Sequence, residues 1–113
     1  MHEMGLIGNI IDIVLAEMSK HHLTKIQRIS LRIGEMRQVV PEAMQFGFEC
    51  LSKNTPLENA ELAIESVPLR GHCLNCNAEF KISTWLANCS KCQSNKIEII
   101  SGKELEIVEF EGI

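Results

Sequence analysis

The chain has 113 residues, 45% of them hydrophobic and 23% charged, with a formal net charge of −4. That length and balance suit one modest soluble core, and the negative sum argues against broad binding to nucleic acid or to an anionic membrane. With no tyrosine, one tryptophan and four phenylalanines, the core must be built mainly from Ile, Leu, Val and Met.

The chain opens Met1-His2-Glu3-Met4-Gly5. An imidazole beside a free α-amine can share a metal with it, whereas the structural reading is a frayed end without meaning. From Met4 to Met18 the residues Ile7, Ile10, Ile11, Val14, Leu15 and Met18 fall on one face of an α-helix. Gly5 and Gly8 weaken its first turn. The segment lacks the basic start of a secretion signal and carries Glu3, Asp12 and Glu17, and no apolar run approaches membrane-spanning length, so a cytoplasmic location is expected.

After Thr24 the period changes to two: Ile29, Leu31 and Ile33 alternate with Arg28, Ser30 and Arg32, a half-buried strand closed by Gly34. Pro41-Glu42 opens a second helix with Met44, Phe48 and Leu51 at helical spacing, stopped by Asn54-Thr55-Pro56. Leu62 and Ile64 alternate with Glu61, Ala63 and Glu65 in another strand that ends near Pro68. After a Ser101-Gly102 turn, KELEIVEFEG reads as a last strand whose alternation slips at Ile107-Val108, as at a bulge. The expected fold is α+β: two helices packed on a small three-stranded sheet, with an inserted cysteine module. Residues 1–69 together with 102–113 form the α+β domain, and residues 70–101 the module.

Charge marks the same module. Residues 70–96 carry Arg70, Lys81, Lys91 and Lys96 against Glu79 alone, whereas residues 97–113 carry five glutamates against Lys103. Four of the five cysteines lie in the basic stretch, as Cys73-x-x-Cys76 and Cys89-x-x-Cys92 with twelve residues between the pairs. Two such knuckles supply the four thiolates of a tetrahedral Zn(II) site, a zinc ribbon. A disulfide framework suits a secreted chain better. A redox pair or a rubredoxin-like iron site remains open from spacing alone. Asn77 stands where a turn after the first knuckle needs positive φ, which Asn tolerates, while Gln93 is a less usual occupant of the equivalent place. Four cysteines close the shell and leave no position for catalysis.

Met1-His2-Glu3, RIGE at Arg32–Glu35, VVPEAMQFGFE at Val39–Glu49, TPLENAELAIE at Thr55–Glu65 and the two C-x-x-C pairs occur in this order along nearly the whole chain. In that order they resemble the HypA/HybF family of hydrogenase nickel-incorporation proteins. Gly5 departs from the small Ser or Ala often found there, and both knuckles lack glycine. The resemblance implies a nickel metallochaperone that catalyses nothing. It assigns Ni(II) to Met1, His2 and Glu3, through the Met1 amine, the backbone nitrogens of His2 and Glu3, and the His2 imidazole. It assigns structural Zn(II) to Cys73, Cys76, Cys89 and Cys92. It further implies a HypB-type GTPase and the NiFe-hydrogenase large subunit as partners, with urease served in some lineages. A nitrogen-rich set suits Ni(II) or Cu(II) and not Mg²⁺ or Ca²⁺, which agrees with the assignment. The Glu3 carboxylate is expected to serve His2 as an outer acceptor. The contrasting reading is a zinc-ribbon module that binds a protein or nucleic acid, with the opening residues as chance.

Other chemistry-bearing residues have plainer expectations. His21-His22 are expected to be exposed at the negative end of the first helix. His72 is expected to stay outside a zinc shell that four cysteines fill. Cys50 is expected to be a small buried hydrophobe on the second helix, and Trp85 a cover for apolar surface between the knuckles. The late return of the last strand would permit strand exchange between two chains, and so a homodimer, but the sequence leaves the oligomeric state open.

Overall fold

A computed structural model describes residues 2–83 and 88–113, with His2 described by its backbone alone. Met1, the His2 imidazole and the expectation for Trp85 therefore lie outside the described residues. The elements in chain order are α1 (His2–Lys20), β1 (Ile26–Gly34), a single 3-10 turn (Glu35–Arg37), α2 (Pro41–Leu51), β2 (Glu61–Val67), β3 (Arg70–Cys73), β4 (Glu79–Lys81), β5 (Ile97–Ser101) and β6 (Leu105–Gly112). Two three-stranded sheets result, in the orders β2-β1-β6 and β4-β3-β5. The architecture is α+β with a separate cysteine-bearing ribbon.

Packing divides the chain into two units: residues 1–32, 39–65 and 106–113, and residues 33–38 with 66–105. The second of these units holds the four cysteines. It takes in the 3-10 turn, because Met36 N–H donates to the Gly102 carbonyl and Gly34 N–H to that of Glu104.

In the first unit α1 buries Ile7, Ile10, Ile11, Val14 and Met18, the face that the 3.6-residue period predicts. Leu15 stays half-buried at its margin. Ile29 and Leu31 supply the buried face of β1, Ile26 is buried at its start, and Met44 and Phe48 supply the buried face of α2. The two helices pack against each other, and at one point they come close: a Cβ on Gly47 would come within 2.7 Å of the Met4 Sδ. On the other face of β1, Arg28 Nε lies 3.8 Å from Glu61, and Arg32 reaches Glu65 at 3.9 Å and Glu106 at 3.5 Å. These half-exposed pairs each contribute little stability. As opposite charges on neighbouring strands, they favour this order of strands over slipped ones.

In the second unit the glycine of RIGE has a steric reason. A Cβ on Gly34 would overlap the backbone carbonyl of Gly102, which itself sits at φ +108. The adjacent Glu35 carboxylate accepts Leu69 N–H at 2.7 Å, and Arg37 Nε donates to the Lys103 carbonyl at 3.0 Å. Backbone cannot yield as a side-chain tip can, so Gly34→Ala is expected to destabilise this unit by ~3 kcal/mol. Amide hydrogen exchange of residues 66–83 and 88–105, compared with that of α1, checks it. Equal protection in variant and parent would contradict the close approach.

Candidate metal centre

The cysteines are placed by two copies of one backbone device. β3 pairs antiparallel with β4 and with β5, and ends on Cys73. There Cys73 N–H donates to the Ala78 carbonyl and the Cys73 carbonyl accepts Asn77 N–H, each at 2.8 Å. In the second knuckle Cys89 N–H donates to the Ser94 carbonyl and the Cys89 carbonyl accepts Gln93 N–H, each at 2.9 Å. To close these loops the residue four after each leading cysteine takes a left-handed conformation, φ 64 at Asn77 and φ 63 at Gln93. The expected turn at Asn77 is therefore present, and Gln93 takes the same conformation despite being the less suitable residue.

The knuckles bring four sulfurs together. All four Sγ atoms lie within 4.8 Å of one another, Cys73 and Cys92 at 3.6 Å and Cys76 and Cys89 at 3.4 Å. A tetrahedral zinc with bonds of ~2.3 Å sets its sulfurs roughly 3.8 Å apart, so the donor set, its number and its spacing fit Zn(II). The leading cysteines, Cys73 and Cys89, are buried, whereas Cys76 and Cys92 are exposed. Backbone amides point at the leading sulfurs: Cys76 N–H at Cys73 Sγ, and Lys91 N–H and Cys92 N–H at Cys89 Sγ, each at 3.4 Å. Amide donors of this kind stabilise thiolate over thiol.

The proton affinities follow from these contacts. The Cys92 N–H chiefly, opposed by desolvation and helped by the Lys91 N–H and the neighbouring sulfurs, holds the Cys89 thiol down to about 6. Cys92 is lowered chiefly by the side-chain amide of Asn75, 3.4 Å from its sulfur, and by the Ser94 N–H. Cys76 is drawn down by the Ala78 N–H but is pushed up to about 12 by the sulfurs around it and by desolvation. Four sulfurs this close cannot all carry charge without a cation between them, and a divalent metal relieves that conflict.

His72 is half-buried and alternates with Cys73 along β3. It is not one of the four grouped ligands, so among the described residues the shell is cysteine alone.

At the other end of the chain, α1 begins at His2, so the backbone nitrogens of His2 and Glu3 belong to a first turn whose N–H groups the helix's own ladder does not use. One Glu3 carboxylate oxygen accepts the N–H of Val40 at 3.2 Å. Val40 is the N-cap of α2, with φ −89 and no side-chain cap of its own. Sequence reasoning missed this bond, and no local signal could have shown it across 37 positions.

The remaining candidates separate cleanly. His21 and His22 are exposed at the end of α1, as expected; His22 takes φ 58, and His21 meets Phe110 edge-on with ring centroids 6.5 Å apart. Cys50 corrects its expectation: it is exposed. α2 buries Met44, Gly47 and Phe48, and Cys50, two residues beyond Phe48, is turned roughly 200° from it around the helix. Leu51 is 40% exposed, so the apolar stripe of α2 stops one turn earlier than the spacing implies.

A family model described as "Hydrogenase/urease nickel incorporation, metallochaperone, hypA" matches residues 1–112. The chain is 39% identical over 111 residues to the hydrogenase maturation factor HypA of Geobacter sulfurreducens, covering 98% of each. It is 35% identical over 111 residues to that of Desulfitobacterium hafniense, covering 98% of this chain and 97% of the relative. Its fold is similar to the solution structure of the Ni metallochaperone HypA from Helicobacter pylori, with a TM-score of 0.68 and 23% identity, covering 100% of this chain and 98% of that one.

Proposed function

The chain belongs to the HypA family of hydrogenase and urease nickel-incorporation metallochaperones, and we propose that it carries Ni(II) on Met1, His2 and Glu3 for insertion into a NiFe-hydrogenase. The observation that carries this reading is the family match over residues 1–112, which includes the Met-His-Glu start. The Met1 amine, the His2 and Glu3 backbone nitrogens and the His2 imidazole offer fused chelate rings to a tetragonal ion. Binding to these nitrogens breaks no rung of α1's own ladder.

Zn(II) is held by Cys73, Cys76, Cys89 and Cys92 and supplies structure, since a closed thiolate shell has no position for a reacting group. The cargo is handed to the large subunit of the hydrogenase with a HypB-type GTPase as co-worker, and urease is a second recipient. The protein binds and releases a metal and makes or breaks no covalent bond of a substrate. Its place of work is the cytoplasm. Among the described residues no helix is long and apolar enough to cross a membrane.

Metal analysis of protein that starts at Met1 tests the assignment: one zinc retained and one nickel taken up is the expected result. One zinc with no nickel uptake would leave a zinc-ribbon interaction module instead. The pH dependence has a definite sign. An α-amine titrates near ~8 and a histidine near ~6.5, and both must be unprotonated to bind a metal. Nickel affinity is therefore expected to fall steadily between pH 8 and pH 6, by at least about tenfold, in competition against a chromophoric chelator of known pH behaviour. An affinity that stays level across that range would exclude the amine and the imidazole as ligands.

A further inference from the structure

The first turn of α1 is held to α2 at two successive residues. The Glu3 carboxylate accepts the Val40 N–H, and the Met4 thioether lies against Gly47, where a Cβ would come within 2.7 Å of its sulfur. The start of α2 needs such a partner. Its N-cap, Val40, has no side-chain oxygen with which to cap the helix, and the next residue, Pro41, has no N–H. A carboxylate at that end meets both the loose donors and the positive end of the helix dipole.

We propose that Glu3 is a positioning residue of the nickel site, its carboxylate seating the first turn of α1 on the start of α2. The proposal rests on the reading of Met1-His2-Glu3 as the nickel ligands. It gives the third residue of that motif two roles, with the backbone nitrogen facing the cargo and the side chain anchoring the segment that carries it.

The physical reason is preorganisation. A chelating terminus that is free in solution must lose its conformational freedom when the metal binds, and each residue ordered costs free energy. Glu3 fixed through its side chain has lost part of that freedom beforehand. Only two residues then precede the anchor, and they are the ones that wrap the ion. Alanine at position 3 keeps every proposed nickel ligand, since the backbone nitrogen remains. Proline at position 40 removes the donor from the other side without touching the terminus. Val40 is extended, with φ −89 and ψ 114, a φ about 10° beyond proline's usual range, and the residue is 50% exposed.

The test uses the zinc-loaded full chain starting at Met1, titrated with Ni²⁺ calorimetrically. Glu3→Ala and Val40→Pro are each expected to weaken nickel binding about three- to tenfold, the size of one ordinary, solvent-exposed hydrogen bond. Combining them is expected to weaken it by less than the product of the two effects, because the Val40–Glu3 bond is lost in both. Glu3→Gln, which keeps an acceptor oxygen, is expected to recover most of the affinity. Zinc content and the thermal midpoint, measured on each variant, separate loss of anchoring from loss of fold.

Parent-like affinity in Glu3→Ala, or Glu3→Ala and Val40→Pro effects that multiply in the double variant, would overturn the anchor. His2→Ala run alongside keeps the two claims apart. Loss of nickel in His2→Ala with parent affinity in Glu3→Ala removes the anchor and leaves the nickel site standing. Parent affinity in His2→Ala removes the site itself, and the anchor's role with it.

Discussion

Stripping zinc with a strong chelator is expected to unfold residues 66–105 while α1 and α2 keep their structure. The described aliphatic residues buried in that unit are Ile33, Val67 and Ile82, and the other buried apolar groups are the thiols of Cys73 and Cys89 themselves. So small a core cannot offset the conformational entropy of the strands and knuckles around it. Structural zinc supplies ~10–16 kcal/mol of apparent binding free energy to such modules. Cys89→Ser is expected to act as the chelator does, because it removes a buried sulfur on which two backbone amides converge. Collapse of amide dispersion for residues 66–83 and 88–105 in two-dimensional NMR, with α1 signals preserved, is the predicted signature. Full dispersion after complete removal of zinc would show that the ribbon is held by its own packing.

Extension of the N-terminus by even one residue is the second large effect expected. It converts the Met1 amine into an amide and so deletes a ligand from the proposed set, whereas nothing in the four-cysteine cluster changes. Loss of a partner one shell further out costs metal sites ~10–100-fold in affinity, and loss of a ligand is expected to cost more than that. The extended protein should retain one zinc and the same thermal midpoint, yet lose tight nickel binding. A tagged chain that binds nickel as tightly as the untagged one would place the cargo elsewhere.

The elements were legible because their periods are clean. Ile7, Ile10, Ile11, Val14 and Met18 repeat as a helix face and are all buried, and Ile29, Leu31 and Ile33 alternate as a strand and are all buried. The cysteine cluster was legible from spacing, since each C-x-x-C pair encodes its own knuckle and two knuckles can meet only around a common centre. What the sequence hid is the product of long-range contact. Glu3 meets Val40, Glu35 meets Leu69, and Gly34 lies on Gly102, each pairing residues that no local pattern relates. Cys50 was misread for the opposite reason. A cysteine's apolar character says nothing of which way a helix turns it, and the register set by Met44 and Phe48 turns it outward. The backbone hydrogen bonds from Gly34 and Met36 to Glu104 and Gly102 likewise join residues far apart in the chain.

The central claim, that the first three residues are the working part of the molecule, is tested most directly by one comparison. Ni²⁺ is titrated by calorimetry into zinc-loaded protein starting at Met1 and, under the same conditions, into His2→Ala. One tight nickel per chain is expected in the parent and none in the variant, with zinc content unchanged in both. Equal nickel binding by the two proteins would contradict the claim.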